Sequence, residues 1–415
     1  MATAKLRIDA DTRGDPGVRD RRVLSAGVAF AGGALAFTSL YFGAGAPTPL
    51  LVLYQKEWGF PATVLTLAFA VYALGFLVAL LTVGSLSDHI GRRPLLIGAL
   101  VAQLVSIVMF LVAPSIGLVI AARIVQGFAT GAATSAFTAA LVELAPPHRK
   151  KLGTILGSVG MTAGLGIGAL LAGFAIQFTA AANTIVFSVL AVIAVLGIVV
   201  VALSPESVSR APGAVRSLVP NVAVPKAARG EFAAAAPVIA AVWMLAGLSL
   251  GLAPTIVRSV FQLDSGLLNG LSGFIAPMTS AVVGVTFARF TARRAVIIGI
   301  YASIAGVAGI VTGVVVGTLG VMIIGQAVAG LGFGAAFSGA LRLIMPLAAP
   351  HERAGVIAGI YVVAYVAFAL PVVITGQLAT PVGLVPTIVG YGAVTGVLAL
   401  VSLLTQFRTT RGARG

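Results

Sequence analysis

The residues able to do chemistry in this chain are few, and their positions argue against catalysis. There are eleven acidic side chains and three histidines. Asp9, Asp11, Asp15, Asp20, Glu57, Asp88, Glu143, Glu206, Glu231, Asp264 and Glu352 lie in tails, in polar gaps or at the ends of apolar runs. His89, His148 and His351 also fall in gaps, without acidic neighbours at ligand spacing. Acid–base, nucleophilic and metal-assisted catalysis all need such groups to converge in an enclosed site. No catalytic, cofactor-binding or metal-ligating residue is assigned. The G-x-x-x-x-G-K-[ST] phosphate cradle is missing, so no nucleotide is expected. Cysteine is absent, which excludes disulfide and thiolate chemistry.

The densest charged cluster between apolar runs is Gly84 to Pro94, where Asp88, Arg92 and Arg93 stand among glycines. Gly84 permits close helix approach, Gly91 a left-handed turn, and Pro94 suits the first turn of a helix. Asp88 can sit near a helix N-terminus or an arginine. A polar turn between two helices would need charges but no fixed spacing. Glu143 ends a later apolar run just before Ala-Pro-Pro-His-Arg-Lys-Lys. It is either a partner for Arg92 or Arg93 or a solvated loop-edge acid.

Arg123 lies a few residues inside an apolar run, where an arginine at helix centre costs about 2.5–3.5 kcal/mol. Its helix face continues through Gln126, Gly127, Thr130 and Thr134. That face should meet a cavity or a partner, with snorkelling as the alternative. Arg342, near the end of another run, has the same two options. Tyr41, Tyr72, Trp243, Tyr361 and Tyr365 are candidates for aromatic cavity surface, or for packing against lipid. Gly160, Gly164 and Gly168 recur every fourth residue and form a helix-packing face.

The elements that must position these residues are membrane helices. The chain has 415 residues, 59% of them hydrophobic and only 9% charged, and its mean hydropathy is +1.10. A spanning helix needs about 20 apolar residues, which leaves room for about a dozen spans. Spans are read at 24–54, 62–83, 95–113, 116–142, 152–177, 184–203, 233–255, 267–288, 295–315, 319–346, 354–378 and 383–405. The first is too long for one straight crossing and holds Gly43, Gly45, Pro47 and Pro49, so it should bend or partly unwind. That break is either a substrate site or a plain proline kink. A net charge of +15 would suit nucleic acid on a soluble face. Here the basic residues lie mainly in the gaps, and no nucleic-acid partner is expected.

Residues 1–23 read as a disordered tail and not as a cleaved leader. Residues 204–232 interrupt the apolar series with Pro205, Pro212, Pro220 and Pro225 and with Arg210, Arg216, Lys226 and Arg229. They read as a linker between a bundle at 24–203 and another at 233–405, with a tail at 406–415. Gly127, Gly131, Ser135, Leu144, Ala145, Pro147 and His148 recur 203 positions later as Gly330, Gly334, Ser338, Leu347, Ala348, Pro350 and His351. This is an internal duplication. The gaps on the face carrying both termini hold 22 of the 26 lysines and arginines, and the opposite face only Lys56 and Arg258. Both termini are therefore expected in the cytoplasm.

Gly84, Asp88, Gly91, Arg92 and Arg93 resemble the G-x-x-x-D-x-x-G-R-R signature of the major facilitator superfamily. Arg123, Gln126, Gly127 and Gly131 are similar to its second signature, R-x-x-Q-G-x-G/A. Gly160, Gly164 and Gly168 match the drug:proton antiporter signature only in degraded form, since Leu165 stands where proline is wanted. The resemblance implies an all-α membrane protein of twelve transmembrane helices in two pseudo-symmetric six-helix bundles. It further implies a secondary transporter of the inner or plasma membrane working by alternating access. On this reading Gly84, Asp88, Gly91, Arg92, Arg93 and Glu143 form a conformational switch, and Arg123, Gln126, Thr130 and Tyr41 serve the central cavity and coupling. The second half has Ala288 where the switch acid would stand, so the switch is one-sided. Apolar central spans favour proton-coupled export of small hydrophobic drugs or metabolites by a monomer. Uptake or exchange of a small organic solute or anion is the second reading, and a membrane-embedded enzyme a third. The expected partners are the lipid bilayer, a small-molecule substrate and protons.

Overall fold

A computed structural model describes residues 24–208 and 211–412. The expected tail at 1–23, Arg210 of the expected linker and residues 413–415 lie outside the described residues. Twelve helices are long and apolar enough to cross a membrane. They are α1 (Ala26–Trp58), α2 (Ala62–Val83), α3 (Arg92–Leu111), α4 (Ile116–Leu144), α5 (Lys150–Phe178), α6 (Ala182–Leu203), α7 (Lys226–Ser259), α8 (Gly266–Arg289), α9 (Ala292–Val316), α10 (Leu319–Leu347), α11 (Arg353–Val382) and α12 (Leu384–Phe407). No strand occurs among the described residues. Only helices satisfy their backbone polar groups within one segment of hydrocarbon, so a chain this apolar has little alternative.

Two expected boundaries move. The seventh helix begins at Lys226, so Lys226 and Arg229 belong to its first turns and not to the linker. The last helix runs on to Gly412, into the stretch read as a tail. In both cases polar residues extend a helix beyond its apolar part, where hydropathy gives no signal. The break in α1 is also milder than expected. Only Ala46 separates the helical pieces Ala26–Gly45 and Pro47–Trp58, and its own backbone stays helical. The stronger irregularity is in α7, where Leu248–Leu252 form a π-helical stretch just before Pro254. A proline donates no hydrogen bond to the preceding turn, so the backbone re-registers around it. The two breaks occupy corresponding positions under the internal repeat.

The repeat also governs packing. In the first bundle, a Cβ added at Gly127 or Gly131 of α4 would come within 2.1 or 2.3 Å of the Tyr72 or Phe76 carbonyl oxygen on α2. At their counterparts Gly330 and Gly334 of α10, it would come within 2.3 or 2.7 Å of the Ala276 or Ser280 carbonyl oxygen on α8. Gly160, Gly164 and Gly168 of α5 all face α1, and at Gly168 the Phe42 carbonyl oxygen lies 2.1 Å from where a Cβ would be. Without a hydrophobic drive between helices in lipid, such backbone approach supplies van der Waals contact.

Between the bundles, α5 packs on α8 and α2 on α11. These contacts run inward from the face opposite the termini. Thr66 meets Gly376, Gly173 meets Gly266 and Gly270, and Phe69 and Phe368 lie 5.0 Å apart by ring centroid. The deepest aromatic contact is Phe76 stacked on Tyr365 at 4.3 Å.

Gly168→Leu should destabilise the protein by about 1–3 kcal/mol, the usual cost of overpacking. It should lower the unfolding temperature in detergent. Gly284→Ala, where nothing lies within 4 Å, should leave that temperature unchanged.

Candidate functional site

At the centre of the molecule a cavity lies between the two bundles. Tyr41, Tyr72 and Leu165 line it from one side, and Trp243, Phe333 and Tyr365 from the other. Trp243 is the hub of the aromatic wall, with ring centroids 4.9 Å from Tyr365 and 5.3 Å from Phe333. Leu250, from the π-helical stretch of α7, also lines it. Free volume is only about 60 Å3. Ligand pockets usually measure roughly 300–1,000 Å3, so a ligand would have to part the halves to enter. Tyr41 Oη shares a hydrogen bond of 2.8 Å with Thr134 Oγ1. Trp243 Nε1 is buried without an acceptor. Tyr72 Oη is also buried without a hydrogen-bond partner.

Behind this wall Arg123 is buried and does not snorkel. Nε donates to the Ala68 carbonyl at 3.3 Å, Nη2 to that of Phe69 at 3.4 Å, and Nη1 to that of Ala44 at 3.2 Å and to Gln126 Oε1 at 2.7 Å. Gln126 Nε2 in turn donates to the Gly43 carbonyl at 2.8 Å. That carbonyl has no partner in its own helix because residue 47 is a proline. The prolines of α1 and the polar face of α4 are thus two halves of one arrangement. Thr130 spends its hydroxyl on the Gln126 carbonyl. The guanidinium also lies 4.4 Å over the Tyr72 ring, one ring away from the cavity.

On the face that carries the termini, Gly84 to Pro94 closes around Arg92. Arg92 pairs with Asp88, donates to Ser87 Oγ at 2.5 Å, and reaches Glu143 Oε1 at 3.2 Å. The Arg93 side chain is exposed. Glu206, which sequence reasoning left as an ordinary linker acid, accepts from the backbone N–H groups of Arg92 and Arg93 at 2.9 and 3.0 Å. It therefore caps α3 as an anion at a helix N-terminus. Gly91 is required twice: its φ is +101°, and a Cβ there would sit 2.6 Å from Glu206 Oε2. The linker continues along this face, where Ser85 Oγ donates to the Ser217 carbonyl and Ala223 N to that of Gly355 at the start of α11.

The second bundle solves the same problem differently. Glu231 of α7 takes the place of the missing acid and accepts from Arg293 at 3.0 Å. Arg342 does not line the central cavity; half-buried, it turns toward the face that carries the termini. It donates to the carbonyls of Ala288 and Phe290 in the α8–α9 turn.

On the opposite face the halves are joined by polar contacts. Lys56 pairs with Asp264, Arg258 Nη1 donates to the Val52 carbonyl at 3.1 Å, and Ser265 Oγ donates to Gln177 Oε1 at 2.9 Å. The Lys56 ammonium holds the Asp264 carboxyl below the usual carboxylate range by direct hydrogen bonding.

Residues 33–370 match the model of the Major Facilitator Superfamily. The chain belongs to that superfamily. Among solved structures it is similar to a bacterial homolog of the human lysosomal transporter Spinster, in an inward-facing and unoccupied conformation. The TM-score is 0.71 at 13% identity, over 92% of this chain and 97% of that one. It is also similar to the human organic anion transporter MFSD10 (TETRAN), with a TM-score of 0.65 at 16% identity over 93% and 100%. Curated relatives match over shorter stretches. Monosaccharide-sensing protein 1 of Arabidopsis thaliana is 34% identical over 115 residues, 27% of this chain and 16% of that protein. The quinolone resistance protein NorA of Staphylococcus aureus (strain Mu50 / ATCC 700699) is 27% identical over 138 residues, 32% of this chain and 35% of that protein.

In this chain, then, Gly84, Asp88, Gly91, Arg92 and Glu143 come together on one face, and Tyr41, Arg123, Gln126 and Thr130 gather deep in the first bundle. Gly160, Gly164 and Gly168 stand apart as the α1 contact. Glu206, Glu231 and the Lys56–Asp264 pair went unread in the sequence because each partner comes from a distant segment. The one signal was that Glu206 is the first charge after α6.

Two outcomes follow from the charged faces. A depressed carboxyl contributes above its unpaired pKa of about 3.9 and is lost only as pH falls through the lower, paired value. Closure by Lys56–Asp264 should therefore be flat from about pH 5 to 8, while weakening with salt because both groups are exposed. Spin labels on cysteines placed at 55 and 262 of this cysteine-free chain read the separation, which should lengthen at all these pH values in Asp264→Asn. At the other face, Asp88→Asn and Glu206→Gln should each reduce transport while leaving the amount of membrane-inserted protein unchanged; wild-type rates would remove these groups from the switch.

Proposed function

We propose that this membrane transporter exports small hydrophobic drugs or metabolites by alternating access with proton coupling, as a monomer in the inner or plasma membrane with both termini in the cytoplasm. The observation that carries the reading is the aromatic, nearly uncharged cavity between two bundles that touch from one face down to the level of Phe76 and Tyr365. Rocking the bundles about that aromatic layer would expose the cavity to each side in turn, as two parallel six-helix repeats allow in secondary transporters. The cytoplasmic placement of the termini rests on the lopsided distribution of lysine and arginine. Drug export is in keeping with the name of one partial relative, the quinolone resistance protein NorA, which matches 32% of this chain.

The switch residues take their roles from geometry. With the termini-side face open, Arg92 is held by Asp88 and Glu143 within its own bundle, and Glu206 ties the linker to α3. Closing that face requires this loop to meet the second bundle, so Asp88, Arg92 and Arg93 are proposed to stabilise the outward-open state. Arg123, Gln126, Thr130 and Tyr41 hold the cavity wall against which the substrate rests.

Proton coupling requires a group that alternates between the two sides. Each acid among the described residues lies at a span end or in a loop. Asp264, held low by Lys56, stays ionised at neutral pH. Asp88, Glu143 and Glu57 remain as carriers, together with a titrating substrate. The lack of an acid at mid-span also favours a second reading, substrate exchange or facilitated uptake without a protein proton site.

Proteoliposomes with an imposed pH gradient separate the two. Export with coupling predicts gradient-driven accumulation of a non-titrating hydrophobic probe, reduced at least tenfold in Asp88→Asn or Glu143→Gln. Accumulation indifferent to the gradient supports exchange, and chemical conversion of the probe would point to an enzyme.

A further inference from the structure

An aromatic box is ordinarily a trap for cations, because ring faces attract positive charge. The central cavity has such a box but already carries a cation of its own. Arg123 lies 4.4 Å over one face of Tyr72, whose ring also lines the cavity. Its donors rest on three backbone carbonyls and the Gln126 amide, all of them neutral. Among the described residues no Asp or Glu lines the cavity or pairs with Arg123. The position corresponding to Arg123 under the internal repeat is Gln326, which is buried and neutral. The positive charge at the cavity is therefore uncompensated, and in a medium of low dielectric its field reaches across one aromatic ring.

The same wall presents a donor. Trp243 is buried, lines the cavity, and has no acceptor for its indole N–H. Buried donors are rarely left unmade, and each unmade one disfavours the empty state. An acceptor oxygen on a flat aromatic body would satisfy the N–H while its rings replace the contacts of Phe333 and Tyr365.

We infer that the central cavity selects uncharged or singly negative aromatic compounds bearing an acceptor oxygen, and rejects lipophilic cations of the same size. This rests on the transporter reading for the place of binding, but not for the sign of the charge.

The test uses three ligands of one shape: 2-acetylnaphthalene, 2-naphthoate and 2-naphthyltrimethylammonium. Binding to the full chain in nanodiscs is measured by calorimetry against empty nanodiscs. The ketone and the carboxylate should each bind at least tenfold more tightly than the ammonium ion. Trp243→Phe should weaken the ketone about threefold to tenfold more than it weakens 2-ethylnaphthalene, which has no acceptor. In Arg123→Gln, provided it folds, the gap between ketone and ammonium should narrow. Ammonium binding within threefold of the ketone in the wild type overturns the inference, as does the absence of binding by all three. Binding in the expected order without transport of the ketone in proteoliposomes would overturn the transport reading and leave the charge selection standing.

Discussion

A charged side chain in hydrocarbon must bring oxygen atoms to itself, and much of the first bundle is arranged around that requirement. Arg123 finds its oxygens where α1, α2 and α4 converge, taking carbonyls from Ala44, Ala68 and Phe69 and a side-chain amide from Gln126. To bring those backbones within reach, α4 meets α2 through glycines and α1 offers a carbonyl freed by Pro47. The guanidinium is thus a structural ion, and its charge is what remains after its hydrogen bonds are made. The wall of the cavity inherits that charge.

Duplication set the frame, and divergence set the chemistry. The glycine contacts of α4 on α2 recur in α10 on α8, and the breaks of α1 and α7 occupy matching positions. Several of the polar groups do not follow the repeat. Arg123 faces Gln326 across the pseudo-symmetry, Asp88 faces Ala288, and the arginine of the second turn is served by Glu231 from another helix. A symmetric scaffold thus carries an asymmetric charge set, with the buried arginine on one side of the cavity only.

The fold was legible because a membrane imposes one rule on every segment: twenty or so apolar residues, then a polar gap. Helix ends were misread most where Lys226 and Arg229 continue a helix with polar residues and beyond residue 405, and α1, α7 and α11 also run on past 54, 255 and 378 to Trp58, Ser259 and Val382. The site was half legible. Arg123, Gln126 and Thr130 share a helix face by spacing alone, and Asp88 and Arg92 are one turn apart. Glu206 lies 114 residues from the N–H it caps, and Asp264 lies 208 from Lys56. Nothing in local periodicity joins such pairs, and their meeting is a product of how the bundles close.

The outer end of the contact of α5 with α8 is glycine on glycine, with Gly173 against Gly266 and Gly270. Two bare backbones have no interdigitated knobs, so one can roll over the other without any side chain first leaving its rotamer well. Mechanically this is a bearing: a surface that carries load yet offers little resistance to tangential motion. In such a joint any resistance to relative motion comes from elsewhere, from the charged contacts at the two rims.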